Sequence, residues 1–157
     1  MRPANKRLVK EMIGRICQRD VDTADAPEPV RYAAERMHQR SVGSLVVLDE
    51  LKRPIGVVTD RDLVTRVMAT GLDPETTTVR EVMTSAPTTI SEDEPIEMAL
   101  KKMRQVTCRR LPVVDTRGAL VGLVSVDDVI SLLVEEFADI GALLERETPR
   151  AIAEARL

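Results

Sequence analysis

Two short patterns in the sequence combine a hydroxyl with a carboxylate three residues later. Thr59-x-x-Asp62 and Ser125-x-x-Asp128 each follow an apolar run and precede a segment with helical spacing. In a capping box, such a pair satisfies the free N–H groups of a helix N-terminus and needs no ligand. Beside the partial positive charge of a helix start, the same groups could bind the sugar and phosphate of a nucleotide. Both interpretations stay open for these four residues.

The two patterns recur because the chain contains two copies of one unit. The sequence aligns with itself without a gap at an offset of 66 residues, the separation of Thr59 from Ser125. In each copy a glycine stands three residues before the hydroxyl, at Gly56 and Gly122, where a missing side chain would let a ligand approach the strand backbone. Two copies are fewer than a solenoid needs, so we expect a pseudo-symmetric pair that shares one core.

Each copy predicts the element order β-α-β-β-α, which places the chain in the α/β (α+β) class. Short first strands are expected over 21–24 and 88–90, and apolar residues at helical spacing predict a helix after each. Two apolar runs joined by a polar turn then predict two strands, and a second helix follows. The predicted divisions are an N-terminal helical extension (1–12), a first repeat (13–71), a linker (72–78), a second repeat (79–137) and a C-terminal helical extension (138–157).

The composition excludes several classes of function. A hydrophobic content of 43% supports a sizeable core, but one Tyr and one Phe do not provide the stacking platforms of single-strand nucleic-acid binders. The 23 basic and 26 acidic residues are dispersed and give a net charge of −3, which argues against a polyanion or a membrane surface as partner. No apolar run approaches the roughly 18 residues of a membrane span, and no secretory signal is visible, so we expect a cytoplasmic protein.

The groups that catalysis or metal binding requires are also scarce. Cys17 and Cys108 are far apart and His38 is the only histidine, so we predict neither a metal site nor a Cys-His pair. Both cysteines are expected to be reduced and to act as small apolar side chains. Since the chain has no GxxxxGK[ST] loop, only carboxylates remain as catalytic candidates, and we expect no catalytic residues and no enzyme.

The doubled Gly-x-x-[Thr/Ser]-x-x-Asp pattern carries a family resemblance. The segments SVGSLVVLDELKRPIGVVTDRDL and RRLPVVDTRGALVGLVSVDDVI closely resemble a pair of CBS (cystathionine-β-synthase) domains, a Bateman module, over about residues 13–134. The resemblance implies a pseudo-two-fold module with two clefts between the copies. Each cleft would hold an adenine-containing ligand such as AMP, ADP, ATP, NAD or S-adenosylmethionine, and such modules sense ligands rather than catalyse reactions.

The resemblance also assigns roles to residues. In the family pattern the Asp holds ribose hydroxyls and the Thr or Ser meets the phosphate, which implies these roles for Asp62 with Thr59 and for Asp128 with Ser125. Residues before the first strand and at the start of the second strand cup the base or contact the phosphate. On this chain those positions are Asp20, Val21, Asp22, Thr23, Val42, Gly43, Ser44, Ala86, Pro87, Thr88, Cys108, Arg109 and Arg110.

The two copies differ in charge around these positions. Arg61 and Arg109 could complement a phosphate, whereas Asp127 would repel one. We therefore expect unequal clefts, of which the one with Thr59, Arg61 and Asp62 tolerates more phosphate charge. The alternative is that the arginines are solvated or pair with nearby acids.

The sequence predicts a regulatory module that binds an adenine nucleotide in one or both clefts and signals to an effector protein in trans, because no effector domain is attached. A homodimer is expected, since the C-terminal apolar positions Phe137, Ile140, Leu143 and Leu144 exceed what one small module needs to cover itself, although they could instead pack onto it. The competing hypothesis is a structural or oligomerisation module without nucleotide.

Overall fold

The computed structural model describes residues 11–147, and within that range it contains two sheets and six helices. Side chains are described up to residue 144. The elements in chain order are α1 (Ile13–Ile16), β1 (Thr23–Asp25), α2 (Val30–Arg40), β2 (Ser44–Leu48), β3 (Pro54–Thr59), α3 (Asp60–Asp62, continuing as a π-helix over Leu63–Met68), α4 (Val79–Val82), β4 (Thr84–Ser85), β5 (Ile90–Ser91), α5 (Ile96–Val106), β6 (Arg110–Val114), β7 (Leu120–Ser125) and α6 (Val126–Glu147).

The predicted duplication is confirmed by the order and length of these elements. Helices α2 and α5 have 11 residues each, and strands β2 and β6 have five. Each long helix ends in a left-handed residue, Ser41 with φ 55° and Thr107 with φ 52°. The following N–H groups donate back to the helix, from Val42 to Met37 O and from Cys108 to Met103 O. The same helix stop therefore occurs at the same place in both copies.

The two sheets have matching topology. The first sheet has the order β1-β2-β3-β4 and the second the order β5-β6-β7. In each, the first strand pairs parallel with the second, which pairs antiparallel with the third. This arrangement brings the start of the second strand beside the end of the third, where the hydroxyl-carboxylate pattern lies. The first strands begin slightly later than predicted, at Thr23 and Ile90.

Each core is completed by a segment that lies on the far side of a sequence repeat. Val79, Val82 and Met83, which follow the linker, belong to the first core together with Leu45 and Val58. Conversely, Ile13 and Cys17 belong to the second core together with Leu111 and Val124. Strand β4, which the sequence did not predict, follows α4 and pairs with β3. The prediction of one shared core is therefore wrong: each half has its own core, and exchanged segments link the two halves.

The terminal predictions fall partly outside the described residues. Of the predicted N-terminal helical extension (1–12), residues 1–10 lie outside the described residues. Residues 11 and 12 are not helical, because α1 begins at Ile13. Helix α6 is continuous from the second repeat into the predicted C-terminal extension. Residues 148–157 of that extension lie outside the described residues. Between residues 11 and 147, no helix combines the length and apolarity that crossing a membrane requires.

Candidate functional site

Both predicted hydroxyl-carboxylate pairs form complete capping boxes. Asp62 Oδ2 accepts hydrogen bonds from Thr59 N at 2.9 Å and from Thr59 Oγ1 at 2.8 Å, and Asp62 N donates to Thr59 Oγ1 at 3.2 Å. Asp128 Oδ2 accepts from Ser125 N and Ser125 Oγ, both at 2.7 Å, and Asp128 N donates to Ser125 Oγ at 3.2 Å. The capping interpretation is therefore correct for both pairs. It leaves ligand binding open, because each carboxylate has a second oxygen.

That second oxygen has one long contact in each half. Asp62 Oδ1 lies 3.4 Å from Arg66 Nη2, and Asp128 Oδ1 accepts from Gln18 Nε2 at 3.4 Å. A carboxylate offers about four lone-pair sites, so each Oδ1 retains capacity for ligand hydroxyls. Both aspartates are thus held in a fixed orientation by the box while one oxygen is only weakly engaged.

The start of the second strand lies directly beside each capping box. Ser44 pairs with Thr59 across the sheet, and Asp60 N donates to Gly43 O at 3.0 Å. In the second half Arg110 pairs with Ser125, and the N–H after Ser125 donates to Arg109 O at 2.9 Å. The structure therefore brings together two of the predicted groups in each half, namely the ends of the third strands and the starts of the second strands.

The residues before β1 lie at the same end of the first sheet, two strands from the capping box. Asp22 O accepts from Val46 N at 3.1 Å, so Asp22 stands roughly 10 Å from Thr59 at normal strand spacing. Arg40 bridges the two predicted acids, from Nε to Asp22 at 2.7 Å and from Nη2 to Asp20 at 2.9 Å. The hydrogen bond to Asp22 is the largest cause that raises the pKa of Arg40, so its charge is secure.

A pocket of about 300 Å³ opens beside β1. It contains three predicted residues but neither Thr59 nor Asp62. The pocket therefore lies beside the positions before β1 that the resemblance assigns to the base, called the base-side positions below, and not beside the capping box. The lining residues are Val21, Asp22, Thr23, Ala24, Asp25 and Arg36.

In the second half, residues 86–88 cross from one sheet to the other. Ala86 N donates to Ile55 O at 3.1 Å, at the edge of the first sheet, and Thr88 lies two residues before β5. Cys108 Sγ contacts Arg110 O at 3.3 Å, and burial raises the pKa of the Cys108 thiol. Cys108 therefore stays a neutral thiol beside the second capping box.

The glycines before each hydroxyl have a role other than the predicted one. A Cβ on Gly56 would collide with the Met83 side chain, and one on Gly122 would lie 2.6 Å from Cys17 Sγ and 2.9 Å from Gln18 O. Both glycines thus make room for the exchanged segments. The expectation that they admit a ligand to the strand backbone is wrong, because protein atoms occupy that space.

Arg36, Arg40, Arg66 and Gln18 contact predicted site residues and were missed by sequence reasoning. Arg66 follows Asp62 at i+4, a helical spacing that could have indicated the ion pair. Gln18 is 110 residues from Asp128, so no local signal pointed to it. Across residues 11–147, no group of three or more His, Cys, Asp or Glu residues could hold a metal ion.

Comparison with known proteins gives a consistent family signal. The chain matches the CBS domain family model twice, over residues 10–69 and 79–135. An uncharacterized protein of Methanopyrus kandleri is 35% identical over 120 residues, which are 76% of this chain and 61% of that protein. The match thus spans less than two thirds of the Methanopyrus protein.

Solved structures match over nearly their whole length. The structure of Hypoxic Response Protein I with two coordinated zinc ions has a TM-score of 0.70 and 29% identity, covering 76% of this chain and 97% of that one. The CBS domain pair of protein MJ0100, solved in complex with 5′-methylthioadenosine and S-adenosyl-L-methionine, has a TM-score of 0.70 and 25% identity, covering 80% of this chain and 97% of that one.

Proposed function

We propose, because the chain belongs to the CBS domain family, that it is a regulatory module that binds an adenine-containing ligand in two clefts. One cleft contains Thr59 and Asp62 and the other contains Ser125 and Asp128. The observation that carries the proposal is the doubled capping box, which fixes each aspartate and leaves its Oδ1 with free acceptor capacity. The adenosine-containing ligands of the MJ0100 pair support the same ligand class.

The chemistry expected at each box follows from its hydrogen bonds. A ribose supplies two hydroxyl donors. One can use the remaining lone pair of Asp62 Oδ1 or Asp128 Oδ1, and the second must displace the long contact from Arg66 or Gln18 to that oxygen. The Thr59 hydroxyl already donates to Asp62 and accepts from Asp62 N. To donate to a phosphate it must rotate away from the carboxylate, which keeps its bond from Thr59 N. Ligand binding therefore loosens one capping contact and keeps the others.

The competing function is a structural module with empty clefts. The observation in its favour is that each hydroxyl, and one oxygen of each carboxylate, is already hydrogen-bonded within its own capping box. A thermal-shift panel of adenosine, AMP, ADP, ATP, NAD and S-adenosylmethionine separates the two. A ligand at 100 times its Kd stabilises the fold by about 2.7 kcal/mol, whereas an empty scaffold gives the same melting curve with every compound.

Variants connect any shift to the clefts. The double variant Asp62→Asn and Asp128→Asn keeps an oxygen acceptor for each box but removes the charge that holds ribose hydroxyls. We expect it to fold and to lose the ligand-induced shift. Asp139→Asn, on the exposed surface of α6, is the matched control and keeps the shift. A double variant that responds like the wild type would contradict the proposed clefts.

The exposed face of α6 supports a homodimer. Ile130, Leu133, Phe137 and Ile140 follow the 3-4 spacing of a coiled-coil seam, and between 48% and 70% of each residue is exposed. Sedimentation velocity checks the dimer: Phe137→Glu is expected to give monomers, while Leu51→Glu, on the exposed β2–β3 turn, leaves the dimer intact. A wild-type chain that sediments as a monomer at high concentration would exclude it.

We further propose that the module acts in the cytoplasm and signals in trans to an effector protein. The cysteines, Cys17 and Cys108, are both free thiols, which is typical of a reducing compartment. A ligand can change the contact with the effector only if it binds the two arrangements of the halves with different affinity. Affinity purification with and without AMP, followed by identification of the bound protein, tests the proposed signalling to an effector.

A further inference from the structure

The two clefts differ at the first residue of the helix that follows each hydroxyl. In the first cleft this residue is Asp60, whose Oδ1 accepts a hydrogen bond from Arg61 N at 2.7 Å. Asp60 Oδ2 lies over Gly43: a Cβ added to Gly43 would be 3.2 Å from this oxygen. A helix start attracts anions through its N–H groups and its dipole. In the first cleft a protein carboxylate already holds that position.

The second cleft has no such carboxylate. Val126 stands in the place of Asp60, and its N–H donates to Arg109 O. The next N–H, of Asp127, has no hydrogen-bond acceptor among residues 11–147. It is the counterpart of the Arg61 N–H, which Asp60 satisfies in the first cleft. The start of α6 therefore retains a donor that an external anion could use.

Two arginines occupy backbone positions next to this free donor. Arg110 pairs in register with Ser125 and is exposed, and within the described part of the chain its guanidinium forms no ion pair. Arg109 reaches Asp127 at 3.5 Å, with 75% and 67% of the two side chains exposed, so this pair is weak and easily displaced. In the first cleft the corresponding residues are Gly43 and Ser44, which carry no charge.

The base-side residues show the same contrast. Asp20 and Asp22 precede β1 and share a single cation, Arg40, so they keep one net negative charge. At the corresponding positions before β5 stand Ala86 and Thr88, which are uncharged. With Asp60 and Arg61 opposing each other, the first cleft keeps that one negative charge at these positions. In the second cleft Arg109 and Asp127 oppose each other, and Arg110 adds one positive charge.

We propose that the Ser125–Asp128 cleft binds the phosphorylated adenine ligand and that the Thr59–Asp62 cleft discriminates against phosphate. The assignment rests on the proposed function and adds which cleft accepts phosphate charge. It reverses the ranking expected from Arg61 and Asp127 in the sequence. The reasons are that Asp60 occupies the first helix start and that Asp127 faces Arg109.

Titration calorimetry with adenosine and AMP on the full chain tests the assignment. Arg110→Ser gives the second cleft the residue that stands at the same position in the first cleft, Ser44. We expect this variant to bind AMP about tenfold or more weakly, since a charge-assisted contact is lost. Adenosine binding is expected to stay within about twofold, because the nucleoside carries no phosphate. Arg117→Ser, on the β6–β7 turn, removes the same charge away from the cleft and is expected to change neither affinity.

A second pair of variants exchanges the anion at the helix start. Val126→Asp installs the carboxylate of the first cleft and is expected to lower AMP affinity, and Asp60→Val is expected to raise AMP binding at the first cleft. Asp60 is exposed, so this variant keeps the test available if Val126→Asp, which adjoins the core, lowers the melting temperature.

The outcomes separate the two proposals. If Arg61→Ser weakens AMP binding and Arg110→Ser does not, the assignment is overturned while the proposed function stands. If the wild type binds neither adenosine nor AMP nor any other compound of the adenylate panel, the proposed function itself fails.

Discussion

Arg66 joins the carboxylate of Asp62 to the segment that completes the first core. Its Nη2 lies 3.4 Å from Asp62 Oδ1, and its Nη1 donates to Val82 O at 2.6 Å. A ribose hydroxyl that binds Asp62 Oδ1 therefore competes with a contact that also holds α4. In the second half Leu132 occupies the corresponding position, and Gln18, from the exchanged segment itself, contacts Asp128.

The first prediction concerns this link. Arg66→Leu, which copies residue 132, removes the bond to Val82 O, and we expect the free energy of unfolding to fall by about 1 kcal/mol. Urea denaturation measures the change. Arg104→Leu, on an exposed position of α5, is the control and should stay close to the wild type. Equal losses in both variants would show that Arg66 has no special contact.

The capping boxes give a second prediction. Thr59→Ala removes the side-chain oxygen that accepts Asp62 N and is expected to destabilise the fold by about 1 kcal/mol, as is Ser125→Ala. Thr65→Ala removes only a bond from Thr65 Oγ1 to Arg61 O within the helix and serves as the control. Chemical denaturation of the three variants checks the order, and a control as unstable as the caps would contradict it.

The glycine under the exchanged segment gives a third prediction. Gly122→Ala places a Cβ against both Cys17 Sγ and the backbone at Gln18 O, and overpacking of this kind costs about 1–3 kcal/mol. Gly141→Ala on α6 meets no atom within 4 Å and is expected to stabilise the helix by about 0.5–1 kcal/mol. Opposite shifts in the urea midpoint are expected, and a neutral Gly122→Ala would contradict the packing described for β7.

Acid sensitivity gives a fourth prediction. Hydrogen bonds from Thr78 N and Thr78 Oγ1 lower the pKa of Glu81 below its ordinary value of 4.5. The unfolded chain therefore binds the proton more readily, so the stability from Glu81 is present above pH 4.5 and is lost as the pH falls through the lowered pKa. Glu81→Gln is expected to flatten the loss of stability between about pH 5 and pH 3. Near neutral pH, the free energy of unfolding of Glu81→Gln should vary with pH as it does in the wild type. If the two proteins also lose stability in parallel at acid pH, the contact between Thr78 and Glu81 is contradicted.

The thiols give a fifth prediction. Burial raises the pKa of Cys17 above its ordinary value of 9.0, which disfavours the reactive thiolate. In a Cys108→Ser background, we expect the folded protein to react with a disulfide reagent at neutral pH at least about tenfold more slowly than the urea-unfolded chain. Equal rates would show that the segment carrying Cys17 is not packed in the second core.

The repeat and most elements were predictable from sequence because their signals are local. The offset that aligns Thr59 with Ser125 also aligns the helices and strands, and the capping boxes join residues only three apart. The exchanged segments were not predictable, since Gln18 and Asp128 meet across 110 residues. Gly56 illustrates the limit: the sequence indicated a close approach to the backbone but not that Met83 makes it.

The crossing of α1 and α4 has a consequence for each copy taken alone. One copy alone would lack the helix that completes its own core, because the other copy supplies that helix. Two separate copies of this unit would each have to supply the helix that the other lacks, and the single chain makes this exchange intramolecular. Cutting the chain between the halves should therefore yield fragments that unfold apart and regain structure only when mixed.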